Sequence, residues 1–352
     1  MQYVFLMGGW DGVSCNNDIA VYSPDGAPSG HMAPGARRML SPRDALAAVT
    51  VEHDVLALGG HDGSNYLASC EIYTASTPGT GRFPGWTLLP AMETTRAFHG
   101  AGAIRRKVFA FGGQGSKSGP AGAYGTGSLA ERARTASVTS SLEVLDLEGG
   151  IWVEGPALPS ARTMVAGACS GERVFCVGGR EGKFEEGDVL ASALAYDPRT
   201  PTWEELPPLR HRRYGAGAVA MGGCVYVFGG KDEEVPLATV EVFDEVGGAW
   251  RESEAMVHER AFPCAVGMGA FIYVIAGSGR TDEVFHRSTH ARASSMSSPD
   301  LVAQTRSFTE ARTHAHTHTG THTHTQTGGG RGGVERRLSE VAVHHTFQAP
   351  SQ

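Results

Sequence analysis

The stretch Arg213–Trp250, RYGAGAVAMGGCVYVFGGKDEEVPLATVEVFDEVGGAW, reads as four short strands and is the clearest copy of a unit that the chain repeats. A run of small residues, Tyr214 to Met221, leads through Gly222-Gly223 into the apolar run Cys224 to Phe228. Gly229-Gly230 ends that run, Val240-Glu241-Val242-Phe243 follows as a third strand, and Trp250 marks a fourth. Period-two alternation, β-branched and aromatic residues and glycine punctuation favour strand over helix.

The same marks recur at fixed offsets. Arg43, Arg96, Arg162, Arg213 and Arg260 each lie sixteen residues before a small-Gly pair: Gly59-Gly60, Gly112-Gly113, Gly178-Gly179, Gly229-Gly230 and Ala276-Gly277. A first pair, Gly8-Gly9, has no arginine before it. Tyr22, Tyr73 and Phe243 come thirteen residues after the second glycine; Tyr196 comes after seventeen, and Leu145 fills the place after thirty-two. Trp152, Trp203 and Trp250 follow their third-strand residue by seven, and Trp86 follows Tyr73 by thirteen. Five coincidences at one spacing define an internal repeat.

At these residues the chain resembles the kelch family, which has paired glycines closing the second strand, an aromatic in the third, a tryptophan in the fourth and about fifty residues per unit. The resemblance covers residues 1–277 and extends to 338–348. It implies an all-β fold, a kelch-type β-propeller of about six four-stranded blades around a central channel, with the first and last blades incomplete. One blade cannot bury both faces alone, so neighbours must stack. Inner strands near the axis are crowded, which suits the Ala/Gly-rich runs Ala97–Ile104, Met164–Ser170 and Gly215–Met221.

The 352-residue chain, 41% hydrophobic, can bury a large core as one domain. A net charge of −7 and a pI near 6.1 argue against general nucleic-acid or membrane-surface binding. Cys15, Cys70, Cys169, Cys176, Cys224 and Cys264 form no C-x-x-C pair. They are read as small hydrophobes in a reducing compartment, the cytoplasm or alternatively the nucleus. Met1–Met7 lacks a basic flank and reads as a strand, not a signal peptide.

The repeats fall near 1–40, 41–92, 93–159, 160–209, 210–256 and 257–279. The missing first strand has two readings: the C-terminus supplies it, as family propellers often do, or the true N-terminus lies outside this sequence. The third unit carries a Gly/Ser-rich insert between Gly113 and Leu145, read as a mobile loop. Residues 280–337 read as a disordered low-complexity insert, Gly-rich in part and holding the Thr/His tract Thr313–Thr325, THAHTHTGTHTHT. That tract is read as an artefact of the gene sequence rather than as a metal site. Residues 338–352 read as a remnant of the last blade, because Leu338–Val343 aligns with the third-strand segment Leu237–Val242.

Fourth-to-first and second-to-third connections of a meander leave from one end of each blade, so the five arginines are expected to ring one mouth of the channel. By resemblance to kelch adaptors that capture acidic peptides, Arg43, Arg96, Arg162, Arg213 and Arg260, with Tyr214, are the candidate partner-binding residues. A guanidinium fork grips a carboxylate in two-pronged fashion. The plainer alternative is that each arginine pairs with loop carboxylates or carbonyls. His99, His211, Arg212 and His258 would extend such a pocket or only coat a loop. Glu71, Glu143 and Glu241 are expected to pair with side chains of the adjacent blade. Gly8, Gly9, Gly59, Gly60, Gly112, Gly113, Gly178, Gly179, Gly229 and Gly230 are structural, as are Trp86, Trp152, Trp203 and Trp250; Trp10 is expected to be more exposed.

No catalytic residue, metal ligand or cofactor is assigned. No G-x-S-x-G, HExxH or P-loop occurs, and no tyrosine and histidine pattern marks a galactose-oxidase-like copper site. Asp282 and His286 keep the D-xxx-H spacing of kelch-like specifier proteins, but position 278 is Ser278. The expectation is a kelch-repeat protein-interaction module that recognises a partner protein through an acidic segment. The alternative is a propeller enzyme such as a sugar-acid isomerase or metal-dependent lyase. A ubiquitin-ligase role follows only by family analogy, since neither a BTB nor an F-box domain is recognisable in the chain.

Overall fold

The computed structural model describes residues 2–11, 13–22, 38–74, 85–115, 137–182, 187–279, 289–292, 305–307 and 341–346. All regular elements among them are strands. The first sheet contains β1 (Gln2–Met7) and β2 (Ile19–Tyr22). The second runs β3 (Ala47–Val51), β4 (Asp54–Leu58), β5 (Cys70–Thr74) and β6 (Gly85–Leu89). The third uses β7 (Gly100–Ile104), β8 (Lys107–Phe111), β11 (Leu142–Asp146) and β12 (Ile151–Gly155). Between β8 and β11, the short strands β9 (Gln114–Gly115) and β10 (Ser137–Val138) pair with each other.

The fourth sheet holds β14 (Ala166–Ser170), β15 (Arg173–Val177), β17 (Ala193–Asp197) and β18 (Thr202–Leu206). A two-residue ladder of β13 (Arg162–Thr163) with β16 (Arg180–Glu181) sits beside it. The fifth is β19 (Gly217–Met221), β20 (Cys224–Phe228), β21 (Val240–Asp244) and β22 (Ala249–Ser253). The sixth is β23 (Cys264–Met268), β24 (Phe271–Ile275), β25 (Thr289–Arg292) and β26 (Thr305–Ser307). The second to sixth sheets are antiparallel meanders.

The last strand, β27 (Val341–Thr346), pairs antiparallel with β1, so the first sheet runs β2-β1-β27. Two expectations are thereby corrected. Residues 341–346 are not the third strand of the last blade; they are the innermost strand of the first, the place left empty at the start of the chain. The last blade in turn takes its third and fourth strands, β25 and β26, from within residues 280–337, a stretch read as wholly disordered. The Thr/His tract and the insert at 116–136 lie outside the described residues.

The innermost strands β27, β3, β7, β14, β19 and β23 pack side by side in a closed circle, with β23 against β27. That circle explains their composition. A Cβ on Gly167 would lie 2.8 Å from the Ala101 backbone of the neighbouring blade. Second strands, covered on both faces by adjacent blades, are apolar throughout: Val55, Leu56, Ala57 and Leu58 are all fully buried. Register places each third-strand aromatic directly opposite the fourth-strand tryptophan: Tyr73 faces Trp86, Tyr196 faces Trp203 and Phe243 faces Trp250. Ring centroids in these pairs lie 5.6, 5.3 and 5.2 Å apart. Trp152, Trp203 and Trp250 also donate Nε1–H to the carbonyls of Pro90, Pro156 and Pro207 in the preceding unit, at 2.8–2.9 Å. Trp152, Trp203 and Trp250 thus join neighbouring blades, while Trp10 is half-buried.

Gly178 has φ +61°, and a Cβ there would overlap the Arg213 carbonyl oxygen. Both backbone strain and collision oppose any side chain. Gly178→Val is expected to cost about 4 kcal/mol and lower Tm by roughly 10 °C in calorimetry. Gly85→Ala, where nothing lies within 4 Å of the new methyl, should change stability by less than about 0.5 kcal/mol.

Candidate functional site

At one end of five of the six blade-to-blade junctions sits a repeat arginine, the β23–β27 junction being the exception, and its two halves do different work. Its backbone carbonyl accepts the N–H of the second glycine of the preceding unit: Gly9 to Arg43, Gly60 to Arg96, Gly113 to Arg162, Gly179 to Arg213 and Gly230 to Arg260, at 2.7–2.9 Å. Its guanidinium turns the other way, into its own unit. Nη1 of Arg43, Arg96, Arg213 and Arg260 donates to the carbonyl of the first residue of that unit's own pair, Gly59, Gly112, Gly229 and Ala276, at 2.5–2.8 Å. A glycine pair therefore takes a side-chain bond from one arginine and gives a backbone bond to the next.

The remaining guanidinium donors meet a third-strand carboxylate. Arg43 bonds Glu71, Arg96 bonds Glu143 and Arg213 bonds Glu241, at 2.8, 2.7 and 2.6 Å. Each glutamate also accepts two backbone N–H groups from the segment just before its arginine: Leu40 and Ser41, Glu93 and Thr94, Arg210 and His211. These glutamates pair with the arginine of their own repeat, not with an adjacent blade.

The arginines do not line an open mouth. Arg43, Arg96, Arg213 and Arg260 are 0% exposed and Arg162 is 3% exposed. Long, forked and always charged, the guanidiniums of Arg43, Arg96 and Arg213 find carbonyl and carboxylate partners inside their own blades and so turn away from the axis. Burial pulls the Arg213 pKa down against the opposing pull of Glu241, and the same holds for Arg96 against Glu143. Of the candidate set, Tyr214 alone remains at the axial face, 9% exposed. His211 and Arg212 are exposed and pair with Glu252 and Glu233.

What surrounds the axis is the residue two places after each arginine: Ala45, Phe98, Met164, Gly215 and Phe262, all with φ between +50° and +57°. They form a chain of backbone bonds from blade to blade. Phe98 N–H donates to Ala45 O, Met164 to Phe98, Gly215 to Met164 and Phe262 to Gly215, at 2.7–2.9 Å. Their side chains close over the channel. Phe98 and Phe262, from blades three positions apart in the circle, approach to 6.3 Å between centroids, and Phe262 meets Tyr214 at 6.0 Å. Met164, Val189 and Tyr214 are buried beneath this cover, while Phe98 and Phe262 are partly buried. The Arg180 guanidinium lies 5.1 Å from the Tyr214 ring centre.

Sequence reasoning passed over Phe98, Met164 and Phe262. The repeat offset identified their position, and Gly215 there hinted at a left-handed backbone, but phenylalanine and methionine do not announce that conformation. The second-to-third connections stand around the same face, three of them braced by an aspartate two residues after the glycine pair. Asp11, Asp62 and Asp232 each accept two N–H groups, at 2.6–2.8 Å.

His99 stands where neighbouring units have Leu46 and Val165. Its ring nitrogens have no partner among the described residues. Burial, reinforced by the Arg96 and Arg43 charges, holds its pKa down at about 3. Burial also pushes the thiols of Cys70, Cys169 and Cys176 up to about 12, and none of the six cysteines is in a disulfide. Among the described residues no three His, Cys, Asp or Glu side chains gather as a metal site.

These sheets and their shared junction define a β-propeller. A family model, Kelch motif, matches residues 161–210 and 212–256. Human Kelch-like protein 34 is 30% identical over 163 residues, which is 46% of this chain and 22% of that protein. Human Kelch repeat and BTB domain-containing protein 13 is 34% identical over 99 residues, 28% of this chain and 21% of its own length. Kelch-like protein 40a of Danio rerio is 37% identical over 83 residues, or 23% and 13%. The chain carries kelch repeats at residues 161–256 and is similar to these kelch-repeat proteins; its match spans about a fifth of the length of the first two of them.

The triple variant Arg96→Ala, Arg162→Ala, Arg213→Ala should lose cooperative unfolding in calorimetry rather than selectively lose a partner. Glu241→Leu alone strands a buried charge and should cost about 3 kcal/mol in urea unfolding, partly recovered on adding Arg213→Met. For His99, the folded state stays neutral while the unfolded chain takes up a proton below its ordinary value of 6.5. Stability should therefore be level above that pH and fall by up to ~1.4 kcal/mol per unit toward pH 3. His99→Leu should remove this component from the pH dependence of urea midpoints.

Proposed function

We propose that this chain is a protein-interaction module that receives a partner segment over the aromatic cover of the channel. The observation that carries this is the patch itself: partly buried Phe98 and Phe262 above buried Met164 and Tyr214, on the face where the second-to-third connections stand. An apolar centre inside a polar rim is how binding energy concentrates at protein interfaces. Arg180 and Lys231 lie in that rim. Acid recognition by the arginine ring is not part of the reading, since those guanidiniums are already bonded inside the blades. The names of relatives that join kelch repeats to a BTB domain support placing such a module within a larger assembly. Cysteines that form no disulfide support a reducing compartment such as the cytoplasm.

The test compares wild type with Phe98→Asn, Phe262→Asn in affinity purification from the source lysate. Asparagine tolerates the left-handed backbone at both positions, so the fold should survive. Proteins recovered with wild type should be lost with the variant while its thermal unfolding stays unchanged. Equal recovery by both would overturn this placement of the surface.

A further inference from the structure

The fourth unit breaks the pattern of the second, third and fifth. In the fourth unit, the third-strand position occupied by Glu71, Glu143 and Glu241 elsewhere is Leu194, which is buried in the core. The backbone donor lost with it is matched in sequence. The N–H groups that the glutamates take come from Leu40, Glu93 and Arg210, each three residues before the repeat arginine, and the corresponding residue here is Pro159, which has none.

The arginine nonetheless remains. Arg162 is 3% exposed, and among the described residues its guanidinium is held by two hydroxyls: Nη1 donates to Ser192 Oγ and Nη2 to Ser160 Oγ, both at 2.8 Å. Its Nε has no partner. Arg96 also leaves Nε unbonded but has Glu143 on Nη2. Among the described residues no carboxylate forms an ion pair with Arg162, although Glu181 stands directly opposite it in the β13–β16 ladder. The adjoining Thr163 hydroxyl, fully buried, is likewise without a partner. A buried guanidinium with no counter-charge is strongly unfavourable. Ser160 and Ser192, having accepted from the arginine, each still carry a proton to donate.

We propose that Arg162 holds a small monovalent anion of the halide class, in the role that a glutamate carboxylate fills in the second, third and fifth blades. Nε–H and the serine hydroxyls supply the donors. Leu194 ends short of where a glutamate would carry its oxygens, which leaves the anion to complete the junction.

Crystals of the wild-type chain equilibrated with sodium bromide provide the test. Expected is an anomalous bromide peak within hydrogen-bonding distance of the Arg162 guanidinium, with none at Arg43, Arg96 or Arg213. Ordered solvent without anomalous signal at Arg162, or equal peaks at all four arginines, would overturn the proposal. In solution at constant ionic strength, exchanging gluconate for chloride should raise the wild-type Tm. Leu194→Glu supplies a carboxylate of its own and should show no such rise; an equal rise in both would overturn the site. The wild-type diffraction result stands alone if that variant does not fold.

Discussion

The propeller depends on one bonded unit, the glycine pair gripped from both sides by arginine. One guanidinium bonds the first carbonyl of the pair, and the next arginine's backbone carbonyl takes the N–H of its second glycine. Blade stacking by apolar contact is non-directional, so it sets that sheets pack but not at what angle. The relay of short hydrogen bonds fixes that angle at each junction. Charge is incidental to this task. The fourth unit gives up the carboxylate and its backbone donor together, through Leu194 and Pro159, yet Arg162 still accepts from Gly113.

The repeat was legible because its marks have steric causes. Glycines 178 and 229 stand where a carbonyl leaves no room, and each tryptophan lies across from its aromatic at a constant offset. The arginines were found for the same reason but assigned to the wrong environment. Spacing gives the position along a strand and says nothing about which way a seven-atom side chain turns. Glu71, Glu143 and Glu241 held the clue: a carboxylate recurring twenty-eight residues after Arg43 and Arg213 is a partner. The last blade was misread because β25 and β26 lack the repeat's marks, and Leu338–Val343 carries a strand pattern that fits an innermost strand as well as a third one.

Around the axis, the chain accepts strain to gain closure. Ala45, Phe98, Met164 and Phe262 adopt a left-handed backbone, each at a cost of about 1–3 kcal/mol, and persist because blade-to-blade hydrogen bonds over-determine them. The same geometry turns their side chains inward over the channel. Strain and the candidate surface therefore have one origin.

Pairing β27 with β1 joins residues more than three hundred positions apart. During synthesis the first sheet would wait with an unsatisfied inner edge while five others assemble beside it. Such an edge invites a foreign strand, and long-range closure is intrinsically slow. The ribosome makes β1 well before its partner β27, so the hazard is greatest while β27 is still to come, when neighbouring nascent chains expose the same open seam.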